Sequence, residues 1–269
     1  MPAEAVDCHA HVFARGLPLA GDRRYAPDYD ATPAQYLSML DANGCSHGVL
    51  VQPSFLGTDN SYLLMALRQA PNRLKGIAVL DAGCPSGLLK DLDAEGVVGI
   101  RLNLIGKDLP DLRFPPWRHH LALVADLGWQ IEVQVEASRL PGFLSQLLEV
   151  GTDVVLDHFG KPSPELGVAD PGFREILSAG GSGRLWVKVS AAYRNGPKGA
   201  DIAEAAIPLL RDALGAHRLL WGSDWPHTQF ESRITPQAAR QALDLWFPEP
   251  EERATVLWQG PARLFRFSD

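Results

Sequence analysis

Two histidines two residues apart, His9 and His11 in Asp7-Cys8-His9-Ala10-His11, are the residues of this chain best placed to do chemistry. The run Val6–Val12 reads as a strand, and strand side chains alternate between faces, so both imidazoles point the same way. Two imidazoles side by side offer half of a metal site or a pair of hydrogen-bonding and proton-transfer groups. The partners that decide between these lie far downstream. Asp157-His158 and Ser223-Asp224 each follow a short apolar run.

The elements that must position these groups alternate strictly. Eight short runs rich in Val, Ile and Leu read as strands: 6–12, 48–53, 74–80, 97–104, 130–136, 153–158, 185–190 and 219–222. Helical patterns lie between them. Thr32-Pro33 is an N-cap followed by proline at the first helical position, opening a helix over 34–42. Thr235-Pro236 repeats that signature before 237–246, and 202–214 carries apolar residues at helical intervals. Asn43-Gly44 and Leu127-Gly128 mark helix ends. Alternating strands and helices imply a parallel sheet, and eight repeats at roughly 30-residue spacing fit a closed α/β barrel, the (β/α)8 TIM barrel. The glycine-rich dinucleotide fingerprint of many open doubly wound sheets is absent after the first strand. No linker or composition shift interrupts the chain, so residues 1–269 read as one domain. Residues 13–31, with Arg23, Arg24 and Tyr25, form a long loop that a barrel would place at its catalytic face.

Composition narrows the partners. The 269 residues are 46% hydrophobic and 21% charged, ordinary for a soluble enzyme. A net charge of −7 without a basic run argues against nucleic acid, while leaving room for an anionic small molecule held by a few arginines. Cys8, Cys45 and Cys84 are an odd number with no CxxC, which fits buried thiols in a reducing, cytoplasmic setting. No apolar stretch approaches the roughly 20 residues of a membrane span, and the first residues do not read as a signal peptide. Oligomeric state leaves no mark on the sequence.

Barrel active sites sit at the C-terminal ends of the strands. The polar residues there are His9 and His11, Gln52 and Ser54, Asp81, Arg101 and Asn103, and Gln134 and Glu136 from the first five strands. The last three add Asp157, His158 and Lys161, then Lys188, Ser190, Tyr193 and Arg194, then Ser223, Asp224 and His227. Lys188 reads as a structural tie between strands inside the barrel. His119-His120, at a helix start, read as surface residues.

In order along the chain, Asp7-Cys8-His9-Ala10-His11, Leu156-Asp157-His158-Phe159-Gly160-Lys161-Pro162 and Leu220-Trp221-Gly222-Ser223-Asp224-Trp225-Pro226-His227 resemble the amidohydrolase superfamily. Gln52-Pro53-Ser54, Gly99-Ile100-Arg101 and the closing Ala262-Arg263-Leu264-Phe265 extend the likeness over nearly the whole chain. More narrowly, the chain resembles the lactonase branch that includes 2-pyrone-4,6-dicarboxylate lactonase and sugar-acid and muconolactone hydrolases. Two departures matter. Metal-dependent members carry a histidine on strand 5 and some an anionic ligand on strand 4, where this chain has Gln134 and the pair Arg101 and Asn103. The lactonases are expected to carry arginines after the strand 6 histidine and after strand 7, where this chain has Lys161 and Tyr193-Arg194.

The resemblance implies metal-independent hydrolysis of a carboxylate-bearing lactone, a 2-pyrone-4,6-dicarboxylate-like or sugar-acid lactone, in the catabolism of aromatic compounds. In that reading Asp224 is the general base, and His9, His11 and His158 donate to the carbonyl oxygen. Arg101, Lys161 and Arg194 hold carboxylates, with Ser54, Tyr193 and Gln134 completing the substrate contacts. No cofactor is expected. Two alternatives stand beside it: a mononuclear zinc hydrolase or decarboxylase with one divalent metal on His9, His11, His158 and Asp224, and a non-catalytic small-molecule binding barrel.

Overall fold

The computed structural model describes residues 4–268. The ends of the single-domain reading, residues 1–3 and 269, lie outside the described residues. Eight strands form one parallel sheet in sequence order: β1 (Val6–Ala10), β2 (His47–Val51), β3 (Leu74–Ala78), β4 (Val97–Asn103), β5 (Gln130–Gln134), β6 (Val154–Leu156), β7 (Leu185–Ser190) and β8 (Leu219–Gly222). The helices between them are α1 (Pro33–Ala42), α2 (Ser61–Gln69), α3 (Ser86–Ala94), α4 (Pro115–Asp126), α5 (Phe143–Glu149), α6 (Pro171–Ser178) and α7 (Gly199–Leu214). After β8 come α8 (Pro236–Trp246), α9 (Pro250–Ala254) and α10 (Gly260–Phe265). This is the expected (β/α)8 barrel, with the strands one to three residues shorter than the apolar runs suggest at several ends. The difference is largest at β6. There Asp157 and His158 leave the strand for a tight turn, and His158, Phe159 and Lys161 adopt left-handed φ values of 52°, 61° and 52°. Such conformations are sparsely populated by residues other than glycine and need surrounding structure to hold them.

Local chemistry explains the helix starts. Thr32 Oγ1 accepts from Gln35 N while Gln35 Oε1 accepts from Thr32 N at 2.7 Å, a reciprocal cap opening α1. Thr235 caps α8 through Ala238 N. Asp170 performs the same office for α6, ahead of Pro171.

The barrel closes between β1 and β8 by backbone bonds, Asp224 N to His9 O and His11 N to Trp225 O, both 2.8 Å. Closure is tight enough that a Cβ on Gly222 would stand 2.6 Å from His9 Cβ, so only glycine fits there. Asp7 reinforces the seam. Its Oδ1 accepts from Ser223 N at 2.7 Å, and its Oδ2 accepts from Ser223 Oγ at 2.6 Å and Tyr36 Oη at 3.2 Å.

The interior is layered. Val6, Val49, Ile77, Val155, Trp186 and Leu220 form an apolar base against which Phe265 of α10 packs. Above it lies a buried charged layer of Glu132, Asp157, Lys188, Arg101 and His9. The larger apolar core fills the space between strands and helices. Cys8 and Cys45 are buried and Cys84 half-buried, all as thiols. His120 corrects the surface reading of its pair. It is buried, with Nδ1 3.7 Å from Cys84 Sγ, because α4 turns that position inward while His119 stays exposed. No helix among the described residues is long and apolar enough to cross a membrane.

Candidate active site

The strand ends converge on one cavity of about 220 Å³, lined by residues at or after the end of every strand but β3, so that Asp81 stays outside it. This suits a compound of roughly one ring, below the range of about 300–1,000 Å³ of drug-sized sites. His11, Ser54, Arg101, Gln134, His158, Lys161, Arg194 and Asp224 all line it, as their positions at strand ends lead one to expect. His9 does not reach the wall. It lies fully buried just beneath, edge-on to both His11 and His158 at ring separations of 4.9 and 4.8 Å. Tyr193 also stands behind the wall.

Asp224 is the centre of the arrangement. It follows β8 with a left-handed φ of 60° and is fully buried. Tyr193 Oη donates to its Oδ2 at 2.6 Å, and Arg194 Nε donates to the same oxygen at 2.6 Å. Its Oδ1 has no hydrogen-bond partner among the described residues, and faces His9 Nε2 and His11 Nε2, each at 3.8 Å. Burial alone would raise its pKa; the Arg194 guanidinium is foremost among the groups that oppose this, and the carboxyl is held well below the usual carboxylate range. Asp224 is therefore an anion with one oxygen committed and one available.

The three histidines are not alike. His11 Nδ1 lies 2.7 Å from Val51 O, a pure acceptor, so that nitrogen carries the proton. Burial, then His9 and Arg101, push its pKa well below the usual value, so the ring is neutral and Nε2 presents a lone pair. A neutral His11 cannot donate from Nε2, which departs from the carbonyl-donor role its position suggests. His158 Nδ1 meets Ser190 Oγ at 2.9 Å, and burial likewise depresses its pKa. His9 turns Nδ1 down into the charged layer, where Lys188 Nζ stands 3.0 Å away. Burial and Lys188 pull the His9 pKa down, but Asp157 and Glu132 more than offset them, and it is raised overall.

Below His9, Lys188 Nζ also donates to Glu132 Oε2 at 2.5 Å and lies 3.6 Å from Asp157 Oδ1. Arg101 Nη2 donates to Asp157 Oδ2 at 3.0 Å and to Gln134 Oε1 at 2.8 Å. Lys188 thus ties β5, β6 and β7 to β1, in keeping with its reading as a structural tie. Arg194 departs from its expected role as a free carboxylate clamp. Its Nε is taken by Asp224 and its Nη2 reaches Thr228 O at 3.3 Å, while its guanidinium lies over the Phe230 ring at 5.2 Å. Tyr193 is likewise a partner of Asp224 rather than of the cavity. His227 supports it, with Nδ1 3.1 Å from Tyr193 Oη. Besides Arg194, the cations facing the cavity are Arg101, Lys161 and Arg24 of the long β1–α1 loop.

Sequence reasoning did not single out Glu132 or Phe230, while Arg24 and Tyr25 line the cavity from the long loop expected at the catalytic face. Glu132 was findable: it lies two residues before Gln134 on β5, hence on the same inward face. Phe230, in the loop after β8, carried no such signal.

His9, His11 and Asp224 bring ligand-type atoms within 4.8 Å of one another, as do His9, Asp157 and His158. A metal needs a lone pair from each. His11 Nε2 and Asp224 Oδ1 offer one. At His9 the Lys188 ammonium donates toward Nδ1 at 3.0 Å, which favours the ring proton on Nε2 and opposes a lone pair there. In the second group Asp157 is already paired with Arg101, and Lys188 stands beside its other oxygen. The residues present do not fit a divalent metal.

The sequence profile of the amidohydrolase family matches residues 6–267. A 2-pyrone-4,6-dicarboxylate hydrolase of Comamonas testosteroni is 32% identical over 98% of this chain and 91% of its own. A 4-sulfomuconolactone hydrolase of Rhizobium radiobacter is 30% identical over 98% and 91%. Among solved structures, one described as a probable 2-pyrone-4,6-dicarboxylic acid hydrolase from Acinetobacter baumannii, with citric acid bound, superimposes with a TM-score of 0.94 at 43% identity, covering 98% of this chain and 99% of that one.

Proposed function

The chain belongs to the amidohydrolase family, and we propose that it hydrolyses a lactone bearing one or more carboxylates, without a metal, with Asp224 as general base. The observation that carries this reading is the divided carboxylate of Asp224. One oxygen is fixed by Tyr193 and Arg194, and the other is bare above the two histidines of the motif. The names of the relatives support the substrate class, since those enzymes act on small cyclic esters.

The steps follow from the geometry. A water beside Asp224 Oδ1 gives that oxygen a proton as its own oxygen bonds to the lactone carbonyl carbon. The carbonyl electron pair moves onto oxygen, where His158 and Arg101 at the cavity wall are the donors in reach. Collapse of the tetrahedral intermediate breaks the bond to the ring oxygen. The proton held by Asp224 passes to that oxygen, and the product is the open-chain acid. Arg101, Lys161 and Arg24 supply charge for substrate carboxylates, and Ser54 adds a neutral contact. Lys161 is half-buried and spends one donor on Arg194 O at 2.8 Å, leaving the rest of its ammonium for substrate.

The test is a hydrolysis screen over lactones from aromatic degradation and sugar acids, on protein purified without added metal, with elemental analysis and with and without chelator. Turnover of a carboxylate-bearing lactone that is indifferent to chelator is expected. Stoichiometric metal with activity lost on chelation would overturn the metal-free mechanism. Tight binding of an anionic lactone without turnover would overturn the enzyme assignment.

A further inference from the structure

We infer that Lys188 is a positioning residue: by occupying the Nδ1 side of His9 it makes His9 Nε2 a permanent donor, and so turns a three-ligand cluster into a binding site for the attacking water. The inference rests on the lactonase reading for the fate of that water, but not for the site itself.

The ring of His9 has Nε2 facing Asp224 and Nδ1 facing Lys188 Nζ at 3.0 Å; Asp157 Oδ1 and Glu132 Oε1 stand beside Nδ1 at 3.3 and 3.4 Å, but neither makes a hydrogen bond with it, and Lys188 alone does. An ammonium has only donors, so a bond at 3.0 Å requires Nδ1 to accept and places the ring proton on Nε2. Adding a second proton would leave Nε2 protonated still. In either charge state, then, His9 offers Asp224 and the space above it an N–H. Glu132 holds the ammonium in place from the opposite side at 2.5 Å, and both groups are fully buried. His11 is fixed in the opposite sense by Val51 O, with its Nε2 a lone pair.

The three facing atoms are therefore one donor, His9 Nε2, and two acceptors, His11 Nε2 and Asp224 Oδ1. Both nitrogens stand 3.8 Å from Oδ1, too far for a direct bond. A triangle with two such sides and a third of no more than 4.8 Å has its corners at most about 2.5 Å from a common centre. An oxygen about 1.5 Å off the plane of that triangle, toward the cavity, stands at roughly 2.8 Å from each, ordinary hydrogen-bond distance. A water there donates one proton to Asp224 Oδ1 and one to His11 Nε2, and accepts from His9 Nε2. Its second lone pair is left for the carbonyl carbon. A metal ion would ask for three lone pairs and meet a proton at His9. The choice between water and metal thus falls to Lys188, a residue that touches neither substrate nor water.

Nuclear magnetic resonance of the protein with 15N-labelled histidine tests this directly, with His9 assigned by comparison with His9→Gln. In the unaltered protein His9 Nε2 is expected to bear a proton throughout the pH range of the folded state. A His9 ring protonated on Nδ1 alone would overturn the proposal. Lys188→Met leaves Glu132 without its cation, so Lys188→Met with Glu132→Gln serves as the charge-balanced variant. In it Nδ1 is free to donate to Asp157, and the Nε2 proton is expected to be lost from the major form. Cobalt(II) is then expected to bind roughly 10- to 100-fold more tightly than to the unaltered protein, with the visible spectrum of a low-coordinate ion. Retention of the Nε2 proton and unchanged cobalt affinity in a folded variant would sink the idea. Neither measurement uses turnover, so failure of the lactonase reading leaves the result intact, and the reverse also holds.

Discussion

Arg194 and Asp224 form an ion pair in which Nε of one stands 2.6 Å from Oδ2 of the other, with Tyr193 Oη at the same distance from that oxygen. The pairing spends one face of the carboxylate on orientation and leaves Oδ1 for chemistry. It also keeps Asp224 ionised in a fully buried position, where an unpaired carboxyl would take up a proton.

Asp224→Asn keeps the shape and removes the basic oxygen. Turnover of the lactone is expected to fall by about 10²–10⁴-fold, the usual share of a general base, with an unchanged circular dichroism spectrum. Near-normal turnover in a folded variant would assign the base elsewhere.

Tyr193→Phe removes one of the two donors on Oδ2. Those donors favour the charged form, so losing one raises the pKa of Asp224. The acid limb of kcat/KM is expected to move to higher pH, and further in Arg194→Met. A profile that does not move in either variant would mean that Asp224 does not set that limb.

Stability should depend on pH through the buried histidines. His11 and His158 have pKa values pushed well below the unfolded value by burial, and His227 follows the same direction. Between their folded values and the unfolded value of about 6.5, the unfolded chain binds more protons than the folded one. Their contribution is therefore complete above about pH 6.5 and is lost progressively as pH falls toward the folded values. Thermal unfolding across pH 4 to 8 checks this, and a Tm that rises on acidification through pH 6 would contradict it.

Lys161→Met removes a cavity cation that has, among the described residues, one hydrogen-bond partner. KM for a carboxylate lactone is expected to rise about tenfold or more, the scale of one charge-assisted hydrogen bond, with little change for a neutral lactone. Arg101→Ala is expected to act in the same direction, and also to lower Tm by stripping Asp157 of a partner at 3.0 Å. Equal KM effects on charged and neutral lactones would argue against carboxylate recognition.

Asp7→Asn tests the seam. The carboxylate accepts from Ser223 twice and from Tyr36, and an amide places a donor against donors. A loss of roughly 3 kcal/mol is expected, seen as a fall in Tm of about 6–12 °C. An unchanged Tm would show that the barrel closes without it.

The barrel and the ring of polar strand ends were legible in the sequence because they depend on local regularities. Alternation of apolar runs with helical patterns sets the fold, and Thr32-Pro33 and Thr235-Pro236 mark helix starts through caps formed within three residues. His120 was misplaced because a helix start says nothing of which neighbour turns inward. Tyr193 and Arg194 were legible as cavity-side residues but not as partners of Asp224, because that contact spans about 30 residues and depends on how two loops fold back.

By itself, then, the sequence determined the order of elements, the inward face shared by His9 and His11, and the set of charged groups delivered to one end of the barrel. Side-chain period and capping are short-range rules, and these features obey them. Only the tertiary structure decided what each group is. Val51 O makes His11 an acceptor, Lys188 makes His9 a donor, and Arg194 makes Asp224 an oriented anion. A histidine's tautomer and a carboxylate's free oxygen are set by whichever atoms stand against them, and those atoms come from strands and loops distant in the chain.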